Sequence, residues 1–201
     1  MQKNLRKTQC ILIAGFGGQG ILFLGKWIAH AGARLGKQIT WLPSYGPEMR
    51  GGTANCSVIL SDDAIGSPIV HEPDVLIAMN LPSFLAYQAS VCTGGEIIYD
   101  ASLIQEQPAR TDIRYRAICA TRIASDAGLD GFANMILLGV FLEDCLPLTQ
   151  TQRNQVLSQV VPAQKKHLIE SNLRALALGR DTLARGAEGG PKERLHPARA
   201  V

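Results

Sequence analysis

Apolar residues recur along this chain in two alternating rhythms. Short continuous runs such as Cys10-Ile11-Leu12-Ile13-Ala14 and Val75-Leu76-Ile77-Ala78-Met79 are separated by longer stretches, the first being Ile21 to Leu35, in which apolar side chains return every three to four positions. The runs predict strands and the periodic stretches predict amphipathic helices. Read in order, the pattern places a strand at about 10–15, a helix at about 18–35 closed by Gly36 as a C-cap, and a strand at about 38–42. Residues 43–52, with two prolines and three glycines, exclude regular structure, and the partly alternating segment from Thr53 to Leu60 is a half-buried strand. The stretch 54–71 is expected to supply antiparallel strands at one sheet edge. The uninterrupted run after Asp74 predicts a central parallel strand buried on both faces. A helix at about 82–92 follows, with Pro82 acceptable in its first turn, then Gly94-Gly95 and strands at about 96–100 and 113–118. Helices at about 119–127, 131–143, 149–160 and 163–178 complete the pattern, the last ending at Gly179.

Strands separated by helices specify an α/β fold: a single doubly wound, mostly parallel, Rossmann-like three-layer sheet with an antiparallel edge extension and C-terminal helices. Residues 1–180 are expected to form one domain, and 181–201, rich in Gly, Pro, Ala and charge, a flexible tail. The 201-residue length and 46% hydrophobic content suit one domain with a full core.

The most informative chemistry lies between the first strand and first helix, where Gly15-Phe16-Gly17-Gly18-Gln19-Gly20 forms a strand, glycine turn and helix start. Glycines there admit positive φ and close approach, and the unpaired N–H groups of a helix N-terminus favour an anion of phosphate size. A nicotinamide-binding unit also needs a carboxylate at the end of its second strand for the ribose. Here Gln38-Ile39-Thr40-Trp41-Leu42 runs into Pro43, and the next carboxylate is Glu48, beyond a proline-bounded loop, which disfavours a free-standing dinucleotide dehydrogenase. The same glycines also suit tight helix-on-strand packing.

The net charge of +3, without a basic block interleaved with aromatics, gives a nucleic-acid role little support but suits a phosphorylated ligand or an acidic partner. No membrane span and no secretory leader is evident, so a cytoplasmic protein is expected. Cys10, Cys56, Cys92, Cys119 and Cys145 are scattered without a CxxC pair, a pattern of neither a disulfide framework nor a metal or cluster site.

Four segments occur in order: the glycine turn; Ser44-Tyr45-Gly46-Pro47-Glu48-Met49-Arg50-Gly51-Gly52; Pro73-Asp74-Val75-Leu76-Ile77-Ala78; and Ala133-Asn134-Met135 with Leu138-Gly139. Together they resemble the gamma subunit of 2-oxoacid:ferredoxin oxidoreductases over roughly residues 10 to 180, most of all the 2-oxoglutarate or branched-chain (2-ketoisovalerate) types of the pyruvate ferredoxin/flavodoxin oxidoreductase gamma family. The pyruvate enzymes and the small chain of indolepyruvate oxidoreductase are close relatives.

The resemblance implies CoA-dependent oxidative decarboxylation of a 2-oxoacid to an acyl-CoA and CO2, with electrons passing to ferredoxin. It implies thiamine pyrophosphate with magnesium and iron–sulfur clusters on partner chains: alpha and beta subunits and a small ferredoxin-like delta subunit. The sequence agrees, having neither cluster-type cysteine spacing nor a GDG…NN run. This chain would help to bind CoA, and the expected cofactor contacts are Gly15, Gly17, Gly18, Gln19, Gly20, Tyr45, Glu48, Arg50, Gly51, Gly52 and Asn134, with no catalytic and no metal-binding residue. Gln19 replaces an acidic residue of some pyruvate enzymes, and a neutral amide is better tolerated by a phosphate. Two readings stay open for the second loop. Arg50 could pair with an anion while Glu48 orients it and Gly51-Gly52 bring N–H groups close, or Glu48 and Arg50 could hold the loop against a partner. Asn134 could contact ligand or bond backbone. A purely structural subunit is the alternative to a CoA-binding one.

Overall fold

The computed structural model describes residues 7–44, 53–106, 108–146 and 148–189, with side chains as far as Thr182. Six strands form one sheet: β1 (Thr8–Phe16), β2 (Gln38–Ser44), β3 (Thr53–Ser61), β4 (Val75–Ala78), β5 (Glu96–Asp100) and β6 (Arg114–Ile118). The helices are α1 (Ile21–Arg34), α2 (Leu81–Tyr87), α3 (Ala120–Asp126), α4 (Ala133–Cys145), α5 (Gln150–Val160) and α6 (Ile169–Gly189), with short 3-10 turns at Gln88–Ser90 and Ala163–Leu168.

The sheet order is β2-β3-β1-β4-β5-β6. Strands β1, β4, β5 and β6 run parallel, while β3 pairs antiparallel with both β1 and β2. The expected antiparallel edge extension therefore exists, and β3 is its central element. It is inserted between the first and second strands, so β2 lies at the sheet edge and not beside β1. That order removes the geometry in which a second-strand carboxylate reaches a ligand over the first turn.

Strand alternation divides the core into two. Ile11, Ile13, Val75, Ile77 and Ile98 face the helical layer of α1, α3, α4, α5 and α6. Leu12, Ala14, Leu76, Ala78, Ile97 and Tyr99 face α2, whose Phe84 stacks tilted on Tyr99 with ring centroids 5.2 Å apart. Every residue of β4 is buried, as an apolar run between two helical layers requires.

Local chemistry sets the helix ends. Gly36, at φ +74°, closes α1, and Lys37 donates its N–H to the Gly32 carbonyl at 3.1 Å, a Schellman-type end. Asn80 caps α2 by accepting the Ser83 N–H at 2.8 Å, and Thr149 with Gln152 forms a capping box on α5.

The C-terminal helix differs from expectation. Helix α6 runs past Gly179 to Gly189, because Gly179 is a contact and not a terminator. A Cβ on Gly179 would strike the Ile136 carbonyl of α4, and one on Gly139 would strike the Leu176 carbonyl of α6. The two glycines let two helix backbones cross at close range, the price being helix propensity at two positions. Residues 190–201 of the expected tail lie outside the described residues.

Candidate functional site

Parallel strands gather their C-terminal ends on one side of the sheet, and the chain leaves β1 there through the glycine turn. Gln19 donates its N–H to the Phe16 carbonyl at 3.2 Å, closing a four-residue turn whose third position, Gly18, has φ +93°. A left-handed residue at that position is the type II requirement that glycine meets without strain. Among the described residues other than its chain neighbours, no heavy atom lies within 4 Å of where a Gly18 Cβ would stand, so these residues leave the turn open on that side.

Beneath the turn, Gly15 is buried and tightly enclosed: a Cβ there would come within 2.7 Å of Gln19 Oε1 and of Ile21 Cδ1, and within 3.0 Å of Met79 Cβ. Gln19 itself is spent on backbone. Its Oε1 accepts the Phe16 N–H at 2.6 Å, and its Nε2 donates to the Met79 carbonyl at 2.9 Å. The amide thus ties the turn to the end of β4, and its place in the site is that of a brace.

Gly20 is the N-cap of α1, with φ 78°, no side-chain cap and no acidic residue in the first turn. The first N–H groups of this 14-residue helix therefore receive no side-chain acceptor from the N-cap or first turn. Asn134 comes from the start of α4 and sits against Gly20 so closely that a Cβ on residue 20 would collide with its amide. It is only 6% exposed, and its Oδ1 accepts the Met135 N–H at 2.9 Å. That bond fixes the amide's orientation, with Nδ2 turned toward Gly20 and without a hydrogen-bond partner among the described residues. Gly17, exposed in the turn, completes the group that the structure brings together: Gly15, Gly17, Gly18, Gln19, Gly20 and Asn134.

Tyr45, Glu48, Arg50, Gly51 and Gly52 lie outside the described residues. The strands that this loop joins do end at the site: Thr53 opens β3 paired with Phe16, the residue that enters the glycine turn. Asp100, at the end of β5, is fully buried and accepts from the Ser102 and Thr121 N–H groups and from the Thr121 hydroxyl at 2.5 Å. It caps α3 and the following turn, leaving no role at the site.

Two hollows flank this end of the sheet. On the α2 side a cleft of about 620 Å³ is lined by Leu42, Asn55, Ile69, His71 and Tyr87 among others, with Leu42 and Ile69 exposed. On the other face a cavity of about 350 Å³ lies beside Gly20 and Asn134 and adds Phe23, Phe132, Lys165 and Asn172. The sequence reading did not single out these last four. They come from four separate segments, and the one local signal was the basic run Lys165-Lys166-His167 after Pro162.

Among the described residues no group of three or more His, Cys, Asp or Glu is placed to hold a metal ion. No helix of the described residues is long and apolar enough to cross a membrane.

Residues 10–182 match the pyruvate ferredoxin/flavodoxin oxidoreductase family, and this chain belongs to that family. It is 36% identical over 179 residues to ketoisovalerate oxidoreductase subunit VorA of Methanothermobacter thermautotrophicus, covering 89% of this chain but 37% of that one. It thus spans little more than a third of the length of that relative. It is 33% identical over 184 residues to 2-oxoglutarate synthase subunit KorC of the same organism, covering 88% of this chain and 96% of that one. Among solved structures, the gamma subunit of a keto/oxoacid ferredoxin oxidoreductase from Geobacter sulfurreducens superposes with a TM-score of 0.73 at 27% identity, covering 88% of this chain and 99% of that one. The same fold recurs in the 2-oxoglutarate:ferredoxin oxidoreductase of Magnetococcus marinus at a TM-score of 0.78 and 24% identity, where it covers 98% of this chain and 33% of the other.

Proposed function

We propose that this chain is the gamma subunit of a cytoplasmic, multi-subunit 2-oxoacid:ferredoxin oxidoreductase, and that its glycine turn receives the phosphates of coenzyme A. The reaction consumes a 2-oxoacid, CoA and two oxidised ferredoxins, and yields acyl-CoA, CO2, two reduced ferredoxins and a proton. The oxoacid is 2-oxoglutarate or a branched-chain 2-oxoacid, the classes named for the full-length and partial relatives above.

The observation that carries the reading is the uncapped start of α1. Gly20 offers no side-chain acceptor and the first turn holds no carboxylate, so the positive end of the helix dipole has no competing anion within the helix itself. Gly18 leaves room above the turn, and Asn134 Nδ2 adds a donor at its rim. These features suit a diphosphate, whose oxygens accept several N–H groups at once. The Magnetococcus marinus enzyme of the same fold was solved with 2-oxoglutarate, coenzyme A and succinyl-CoA bound, which is consistent with this ligand class.

Thiamine pyrophosphate, with its magnesium, and iron–sulfur clusters supply the carbon–carbon cleavage and the electron path when bound, and they belong on alpha, beta and ferredoxin-like delta partners. The five cysteines of this chain are dispersed and form no disulfide, and none takes part in a metal-sized cluster among the described residues. What this chain contributes is positioning: it holds the non-reacting end of CoA so that the thiol extends toward the partner that carries the acyl group. Exposed Leu42 and Ile69, on the face of the sheet opposite the cavity, support a partner seat there.

The test is anaerobic affinity capture of this chain from its native cells, followed by identification of the bound subunits and assay against a panel of 2-oxoacids. Recovery of larger partner chains with CoA-dependent ferredoxin reduction is expected; a chain that elutes alone and binds no CoA overturns the reading.

A further inference from the structure

The ladder between β1 and β4 stops one bond short, and the residue that stops it is Gln19. The register runs from Ile11 opposite Val75 to Ala14 opposite Ala78, and the Met79 N–H then donates to the Ala14 carbonyl at 2.9 Å. In a parallel pair the bonds follow one another evenly, alternate residues of one strand both donating to and accepting from the other. The next bond of that series would run from the Phe16 N–H to the Met79 carbonyl. Two bonds replace it: Phe16 donates to Gln19 Oε1 at 2.6 Å, and Gln19 Nε2 donates to the Met79 carbonyl at 2.9 Å. A side-chain amide thus stands between the strands, an acceptor toward one and a donor toward the other, and holds Phe16 and Met79 apart by its own width.

The position calls for a primary amide. A carboxylate would satisfy the Phe16 N–H but turn a second acceptor on the Met79 carbonyl, an ammonium would do the reverse, and an apolar side chain would serve neither. Gly15 is what admits the amide, since a Cβ on residue 15 would stand 2.7 Å from Gln19 Oε1. The buried glycine and the amide are therefore a matched pair, one making the space that the other fills.

The place of this insertion gives it a consequence for a ligand. From β1 the chain passes to α1, whose Leu24, Trp27 and Ile28 pack in one layer, and from β4 it passes to α2, whose Phe84 packs in the other. Neighbouring parallel strands that send their chains to opposite faces leave a crevice at their carboxyl ends, where open α/β sheets seat ligands. The glycine turn forms one lip of that crevice, and Gln19 directly precedes Gly20, the N-cap of α1. We infer that Gln19 is a positioning residue whose amide wedges β1 and β4 apart, setting the width of the crevice and the aim of the α1 N-terminus. The functional part of this inference rests on the CoA reading above; the wedge itself does not.

The decisive variant is Gln19→Ala. Without the amide, the Phe16 N–H and the Met79 carbonyl pair directly, so the ladder gains a bond as the side chain's two are lost, and stability is nearly conserved. In NMR of the full chain, the coupling through the hydrogen bond from the Phe16 amide nitrogen reaches Gln19 Cδ in the wild type and switches to the Met79 carbonyl carbon in the variant, with a fall in Tm of about 2 °C or less. In the captured complex the KM for CoA rises by about fivefold or more while the KM for the oxoacid stays as it was. A coupling to Met79 already present in the wild type, or absent from the variant, overturns the wedge. A closed ladder with an unaltered KM for CoA overturns the positioning role. If the complex has no CoA-dependent activity, the CoA reading falls and takes that role with it, while the coupling in the full chain still decides the wedge.

Discussion

The side-chain amide of Asn134 occupies the space in which a Cβ on residue 20 would stand, so Gly20 and Asn134 are neighbours only because residue 20 is glycine. Gly20→Ala would force the two apart and also hold an alanine at φ 78°. The expected cost is about 2 kcal/mol, a fall in Tm of roughly 4 to 8 °C for a chain of this size. Adding Asn134→Ala removes the collision but not the backbone strain. Thermal melts of both single variants and the double are therefore expected to show a favourable coupling of roughly 1 kcal/mol, and strict additivity would contradict the contact.

Gly139 and Gly179 make a second close approach, between the backbones of α4 and α6. Each has a carbonyl of the other helix where a side chain would begin, and backbone cannot step aside as a flexible side chain can. Gly139→Ala and Gly179→Ala should each destabilise by about 2 to 3 kcal/mol, even though alanine is the better helix former. Denaturant midpoints at or above the wild-type value would refute the crossing.

The Arg110–Asp112 pair pins the approach to β6, with Arg110 Nη2 2.6 Å from Asp112 Oδ2 and Arg110 Nη1 donating to the Val91 carbonyl at 2.6 Å. The Arg110 hydrogen bond, assisted by one from the Thr93 hydroxyl, holds the Asp112 carboxyl down at about 2. Since the folded value lies below the unfolded one, the pair's stabilisation is complete above about 3.8 and is lost as pH falls toward 2. In Arg110→Gln the carboxyl should titrate near its ordinary value, which NMR titration of Asp112 would show. An unmoved titration would contradict the assignment.

Cys56 lies buried between β3 and α1, and burial pushes its thiol up to about 12 against weaker opposing hydrogen bonds from Trp41 and Gly25. A raised value means that the neutral thiol is favoured by folding, so its contribution holds below about 9 and declines as pH climbs toward 12. At pH 8 the native chain should leave Cys56 unmodified by iodoacetamide while unfolded chain is alkylated there, as peptide mass mapping can check.

Much of this architecture could be read from single segments. The apolar run at Val75–Ala78 specified a central strand, and Pro82 suited the first turn of α2, because each signal is local. What escaped was long-range. The insertion of β3 between β1 and β2 depends on pairing order, which alternation does not encode. Gly179 looked like a helix end, since a glycine near the end of a periodic stretch usually is one. Only the position of Gly139 on another helix explains it. The glycine turn was recognisable as the link between a strand and a helix start, whereas Gln19 as a brace depended on Met79, sixty residues away. The cavity was invisible for the same reason: Phe23, Phe132, Lys165 and Asn172 meet only after α1, α4 and α6 have packed.

The most direct measurement is the CoA dependence of ferredoxin reduction by the captured complex carrying Gly18→Val. A branched side chain there strains the backbone at φ +93° and obstructs the open side of the turn, and its Cβ meets no atom of the described residues within 4 Å. The account predicts an intact complex whose KM for CoA rises by about tenfold or more while the KM for the oxoacid is unchanged. An intact complex with an unaltered KM for CoA would contradict it, and loss of assembly would instead mark this chain as a structural subunit.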